Sequence, residues 1–229
     1  MSDLNYPLRL PHTDSLPATI AERTRRVYDL LAGVYPVSSL LFHARAHKSA
    51  LRHSGIHDGM QVLEVATGSG EMFRRLVKAN QNGATFGLDL SPKMAARTQR
   101  RVRREFPQAC TLCKAVDARH MPFRDQSFDA VVCCYLFELL SADDIQLTIH
   151  EFARVLRPTG AVTLIMIGQN KTYFNHLYRF CTRVAPAFWG RQVERSIPQL
   201  IESIGFQIST DRTVKQTFYP SRILTAIKV

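Results

Sequence analysis

Apolar and polar positions follow two rhythms along this chain. Short apolar runs of strand length recur at Gln61–Val65, Ala84–Asp89, Cys110–Val116, Ala130–Cys134 and Ala161–Ile167. Between most of them, apolar residues return every three or four positions, the period of an amphipathic helix. Strands alternating with helices predict a parallel sheet covered on both faces. Local signals set the helix limits. Ser91-Pro92 reads as N-cap and first helical residue, Ser141 caps a helix over Asp143–Leu156, and Gly205 ends a helix over Ile197–Ile204. Pro158-Thr159-Gly160 turns the chain into the fifth strand. Two later runs, Phe206–Thr213 and Gln216–Val229, lie too close together for a crossover helix and predict a hairpin. Upstream, Ile20, Val27, Leu30 and Leu31 predict a helix from Ala18 to about Gly33, and Leu40, Leu41, Phe42 and Leu51 a second over Val37–His53. Both are expected over the ligand-binding end of the sheet. Residues 1–17, with Pro7, Pro11 and Pro17, predict an arm. Residues 18–55 form a helical cap in this reading, and 56–229 a core carrying an insert at 171–190.

The densest chemistry lies at the first strand. The run Val62-Leu63-Glu64-Val65 enters Ala66-Thr67-Gly68-Ser69-Gly70, a helical segment follows, and the second strand ends at Asp89. In a doubly wound sheet this order holds a nucleoside-containing cofactor at the carboxyl ends of the strands. Gly68 and Gly70 allow close approach of the backbone. Asp89 is placed to accept from ribose hydroxyls, the plainer alternative being a strand-end cap. A dinucleotide fingerprint needs a third glycine where Phe73 stands, and a P-loop needs a Gly-Lys-Ser/Thr that is missing. A glycine turn in some other α/β fold is the remaining alternative.

Composition narrows the class. The 229 residues are 45% hydrophobic and 21% charged, as expected for one large globular domain. No apolar run approaches the roughly 20 residues of a membrane span, and Met1–Pro7 lacks the pattern of a secretory leader. Five cysteines, mostly within apolar runs, read as reduced thiols of a cytoplasmic protein. A metal cluster built on Cys110, Cys113, Cys133 and Cys134 is disfavoured, because zinc pairs sit in turns rather than strands. The net charge of +11 favours acidic partners. Arg97, Arg100, Arg101 and Arg104 share one helical face, read as solvated and opposite Met94, Val102 and Phe106, with no RNA-binding signature beside it.

Glu64-Val65-Ala66-Thr67-Gly68-Ser69-Gly70 resembles the first motif of class I S-adenosylmethionine (SAM) methyltransferases, acid-x-Gly-x-Gly-x-Gly. Ala66 replaces the first glycine, which is expected to require a backbone outside positive φ there. Asp117-Ala118-Arg119-His120-Met121-Pro122-Phe123, with Asp125-Gln126-Ser127-Phe128-Asp129, resembles a second segment of that family. Glu151-Phe152-Ala153-Arg154-Val155-Leu156-Arg157-Pro158-Thr159-Gly160 resembles a third, with Thr159 replacing a glycine. Tyr28-Asp29-Leu30-Leu31-Ala32-Gly33-Val34-Tyr35 is similar to the lead of the ubiquinone/menaquinone-biosynthesis subgroup.

The resemblance implies a seven-stranded sheet with the last strand antiparallel, and SAM as cofactor. It further implies that the Ala66–Gly70 loop, Thr67 included, lies along the cofactor's tail and ribose, and that Glu64 serves the ammonium. Leu90 and Met94 would cover adenine. Asp117 would accept from its amino group beside the Ala118 amide, unless Asp117 merely makes an Asx turn. Tyr135 follows the fourth strand as a wall near the methyl group or as a core tyrosine. Tyr28 and Tyr35 close a lid or pack a helix. Methyl transfer is an in-line displacement for which alignment supplies much of the rate, and a phenol or carbon acid also needs a base. His43, His47, His120, His150 and His176 are the candidates, His43 and His176 preferred and His150 expected on the surface. No metal is expected.

Residues 171–190 are aromatic, basic and free of acids, read either as a lid touching an anionic membrane or as a helix on the sheet edge. No Asn/Asp-Pro-Pro-Tyr/Phe follows the fourth strand, which disfavours nucleobase and protein-glutamine acceptors. The acceptor expected is small and apolar or lipid-like: a quinone precursor or a phospholipid amine. The alternatives are a soluble metabolite, or a non-catalytic module that binds RNA or a partner through the arginine face.

Overall fold

The computed structural model describes residues 35–168, 193, 195–216 and 219–229, with side chains from His43 onward in the first stretch. The predicted arm, the helix 18–33 with Tyr28, and the insert with His176 lie outside the described residues, as does the side chain of Tyr35.

Helix α1 (Tyr35–His53) precedes β1 (Gln61–Val65), α2 (Glu71–Ala79), β2 (Ala84–Asp89), α3 (Pro92–Glu105), β3 (Cys110–Ala115) and β4 (Phe128–Cys134). A single 3₁₀ turn, α4 (Ala142–Val155), β5 (Leu156–Ile167), α5 (Ile197–Ser203), β6 (Phe206–Val214) and β7 (Ser221–Lys228) follow. The sheet order is β3-β2-β1-β4-β5-β7-β6, with only β7 antiparallel to its neighbours. β1 pairs on one side with β2 and on the other with β4. The winding therefore reverses between β1 and β4 and leaves a crevice at their carboxyl ends.

β1 and β4 read as apolar runs because both faces of the sheet are covered. One face packs α4 and α5 through Ile145, Ile149, Phe152, Ile197 and Ile201. Its centre is the aromatic group Phe86, Phe123 and Phe128, with the last two edge-to-face at 4.8 Å. The other face packs Ala46 and Ala50 of α1 against Met72 and Leu76 of α2, and Phe73 and Val77 against Val102 of α3. The edge strand β3 is half-exposed and carries Lys114, which blunts pairing with another chain.

Both predicted caps form. Ser91 Oγ accepts from the Met94 amide at 3.3 Å, with Pro92 in the first turn, and Ser141 Oγ accepts from Asp144 at 3.1 Å. The hairpin also forms, with β7 beginning at Ser221 rather than Gln216. Pro158-Thr159-Gly160 lies within β5, at a bulge where the pairing jumps from Phe128–Leu156 to Ala130–Ala161.

Two positions where the resembled motifs carry glycine hold other residues in the left-handed region. Ala66 has φ +64° and Thr159 φ +63°, both in the left-handed region. Ala66 was expected outside it. The left-handed backbone persists where the glycine does not, at the β1–α2 turn for Ala66 and at the β5 bulge for Thr159. A non-glycine residue there costs about 1–2 kcal/mol.

Candidate active site

The carboxyl ends of β1, β2 and β4 open into one cavity, closed by the loop after β3 and the carboxyl half of α1. The turn after β1 is pinned first. The Thr67 amide donates to Leu88 O at 3.0 Å, and Gly70 N donates to Thr67 O at 2.8 Å. Asp89 ties the two loops together. Its Oδ2 accepts from Gly68 N at 2.7 Å and its Oδ1 from Ser91 N at 2.9 Å. Asp89 is thus the strand-end cap weighed from sequence, and it also lines the cavity.

At one end of the cavity Asp117 makes the anticipated Asx turn, accepting from Arg119 N at 2.9 Å. The Arg119 guanidinium folds back onto the same carboxylate and reaches Asp144 of α4 at 2.8 Å. Asp117 is pulled below the usual carboxylate range: Arg119's hydrogen bonds and charge outweigh a burial effect that would raise it. Asp117 and Ala118 both stand in the wall.

At the other end, Glu64 sits on β1 with 1% of its surface exposed. No hydrogen-bond partner meets its Oε2. Burial, with Asp89 adding to it, pushes the Glu64 carboxyl well above the ordinary range. His43 and His47 of α1 stand nearby in the wall. The His43 ring lies 4.4 Å from that of Tyr135, tilted by 30°, and its Nε2 is 2.6 Å from the Tyr219 hydroxyl. The Tyr135 hydroxyl pairs with Ser221 Oγ at 2.7 Å and accepts from Gln216 Nε2 at 3.2 Å. Tyr135 has φ +55°, a conformation that turns its ring into the cavity wall directly after β4. Burial lowers His43 to about 4 and His47 to about 3, so both are neutral at pH 7, and burial raises the Tyr135 phenol.

Residues 62–160 match a methyltransferase-domain family model. Over 169 residues the chain is 31% identical to the ubiquinone/menaquinone biosynthesis C-methyltransferase UbiE of Bdellovibrio bacteriovorus, covering 69% of this chain and 68% of that protein. It is 26% identical to demethylmenaquinone methyltransferase of Geobacillus stearothermophilus, over 76% of each. The fold is shared with the N-methyltransferase NodS of Bradyrhizobium japonicum bound to S-adenosylhomocysteine. That likeness has a TM-score of 0.73 at 13% identity, over 90% of this chain and 98% of that one.

This chain is a class I SAM-dependent methyltransferase. Within that family it is of the ubiquinone/menaquinone-biosynthesis type. The residues of the methyltransferase's cavity fit the cofactor. Glu64 Oε2 is an enclosed acceptor atom without a partner in the cavity wall, as a cationic group would require, and Gly68 (φ +48°) leaves open space beside a bare backbone.

Of the cofactor residues predicted, Glu64, Ala66, Thr67, Gly68, Asp89, Leu90, Met94, Asp117, Ala118 and Tyr135 all line the cavity. Gly70 does not. It starts α2 at φ +75°, and a Cβ there would stand 2.6 Å from Thr98 Oγ1, so this glycine serves the packing of α2 on α3. His120 and His150 are exposed and bonded to nearby carbonyls, the latter to Gln146 O at 2.8 Å. The basic face is largely solvated. Arg100 and Arg104 are exposed, while Arg101 pairs with the buried Glu71 at 2.9 Å. Cys113 is buried and pushed up to about 12, and Cys133 and Cys134 are raised likewise by burial, as inert apolar thiols are. Among the described residues no group suited to a metal occurs, and no helix is long and apolar enough to cross a membrane.

Sequence reasoning missed Arg119, Asp144 and Tyr219. Arg119 was foreshadowed by its spacing, two residues after a strand-end acid. Tyr219 had no local signal, since it meets His43 across 176 positions.

Proposed function

We propose that the methyltransferase acts on the ring of a quinone precursor, placing a methyl group on an aromatic carbon flanked by a hydroxyl. The observation that carries this reading is the aromatic wall at the end of β4. His43 and Tyr135 face the cavity as adjoining, tilted, uncharged rings, backed by Tyr219. Such a surface takes a flat apolar ring by stacking. Relatives named for ubiquinone and menaquinone biosynthesis support it.

The bound cofactor supplies an electrophilic methyl group on a sulfonium. The Ala66–Ser69 backbone and Asp89 hold its ribose, and Asp117 with Ala118 holds its adenine. Tyr135, fixed by Ser221 and Gln216, sets the plane of the acceptor ring against the methyl. His43, oriented by Tyr219, is the imidazole placed to take the acceptor's hydroxyl proton; the burial that lowers it to about 4 makes it a weak base, so proton removal contributes less than alignment. Alignment of carbon and methyl supplies the larger share of the rate.

The test is transfer from methyl-labelled SAM to three acceptors: a short-chain demethylated hydroquinone, phosphatidylethanolamine vesicles and a soluble catechol. Label on a ring carbon of the hydroquinone is expected. Label confined to the vesicles or to the catechol oxygen overturns the acceptor class.

A further inference from the structure

Two enclosed polar atoms beside the cavity are left over by every role assigned above. His47 Nδ1 and Arg75 Nε are buried, and neither meets a hydrogen-bond partner. His47 is 4% exposed and stands in the cavity wall. Arg75, on α2 behind it, is close enough for its charge to bear on the His47 ring, while its outer nitrogen pairs with Glu71 at 3.2 Å. An unpartnered donor or acceptor in such a place costs about 1–3 kcal/mol unless a ligand completes it. Glu64 Oε2 is the third such atom, in the same wall.

The three atoms form a polarised pair of poles. Glu64 Oε2, with Asp89 near enough to bear on it, is the acceptor pole, and the uncharged His47 ring with the Arg75 guanidinium near it is the donor pole. A zwitterionic amino-acid head matches both at once, its ammonium toward the acid and its carboxylate toward the imidazole.

We propose that His47 is the residue of this methyltransferase that reads the carboxylate of the cofactor's amino-acid tail, backed by the Arg75 guanidinium. The inference rests on the cavity holding that tail beside Glu64. His47, neutral at pH 7 because burial and the neighbouring His43 and Arg75 all lower it, offers an N–H rather than a charge. Arg75 supplies the field that favours an anion. Reading the tail from α1 also ties cofactor binding to the docking of that helix, since Ala46 and Ala50 beside His47 belong to the core.

The experiment compares S-adenosylhomocysteine with its decarboxylated analogue, which keeps the adenosine, the thioether and the amine. Calorimetry on the intact protein gives the ratio of the two affinities. Wild type is expected to prefer the carboxylated ligand at least tenfold, the worth of one hydrogen bond to a charged group. In His47→Leu the preference is expected to collapse to within about twofold, while affinity for the decarboxylated analogue stays near wild type. His47→Gln, which keeps a donor N–H, is expected to retain part of it. An unchanged ratio in His47→Leu overturns the proposal. Should that variant not fold, Arg75→Met reads the same ratio, expected to fall severalfold, and an unchanged ratio overturns the proposal equally. Wild-type protein that binds neither ligand overturns the cofactor placement itself, a different failure from a ratio that does not move.

Discussion

The two ends of the cavity are built in opposite ways. The nucleoside end is assembled from turns that each follow a strand and are tied by short-range bonds: Thr67 to Gly70, Asp89 to Ser91, Asp117 to Arg119. The acceptor end is assembled from residues distant in sequence. His43 meets Tyr219, and Tyr135 meets Ser221 across 86 positions. The first end caps its acids with amides, and Arg119 holds Asp117 below the usual carboxylate range. The second keeps histidines neutral and a phenol protonated by burial. Local construction makes a cofactor site robust, whereas long-range construction lets the acceptor site change without touching it.

Acid is the largest lever on that contrast. His43 and His47 have folded values of about 4 and about 3, against 6.5 unfolded. Between those values the unfolded chain binds more protons, so stability rises with pH across this window and is lost as pH falls below about 6.5. His43 alone accounts for on the order of 3 kcal/mol once pH nears 4, at 1.36 kcal/mol per unit. Denaturant unfolding followed from pH 7.5 to pH 4 is expected to show this loss, and His43→Gln to flatten the curve. A curve with the same slope in both proteins would place the acid sensitivity outside the acceptor wall.

Substituting Asp89→Ala strikes the other end. It removes the acceptor for Gly68 N and Ser91 N and, with it, the proposed ribose contact. Affinity for S-adenosylhomocysteine is expected to fall at least about a hundredfold, with about 1–3 kcal/mol lost in stability from the stranded amides. Calorimetry and denaturant unfolding check both. Retained affinity would mean that the cap is the whole of its work.

The smallest effect sharpens the comparison. Ala66→Gly relieves a left-handed alanine and is expected to stabilise the fold by about 0.5–1 kcal/mol net of glycine's greater unfolded freedom. Cofactor affinity should hold or rise slightly. A loss of stability would show that Ala66 is held without strain.

The same division explains what the sequence revealed. β1 and β2 fell at the predicted residues, because apolar runs bounded by turn residues carry their limits with them. Ser91 and Ser141 declared their helices for the same reason, since a cap is a relation among three or four neighbours. Gly70 was legible as a glycine but not in its role, because its neighbour Thr98 comes from another helix. The left-handed Ala66 was illegible because residue type records what a position tolerates, not what the turn from β1 into α2 imposes. The acceptor wall was half visible. His43 and Tyr135 stood out as chemistry, while Tyr219 and Ser221 acquire their meaning only once β7 lies beside β5.

That last placement has a consequence for how the protein is made. β7 comes latest of the seven strands in chain order, yet it lies in the sheet's interior between β5 and β6. On the ribosome, the nucleoside-binding turns emerge well before it. A nascent chain that has reached β5 but not β7 bares one flank of β5 to any passing strand. It also lacks the serine on which Tyr135 rests. Such a chain carries every turn of the nucleoside end before it has the last residues of the aromatic wall, so chain order sets the sequence in which the parts of the two ends become available.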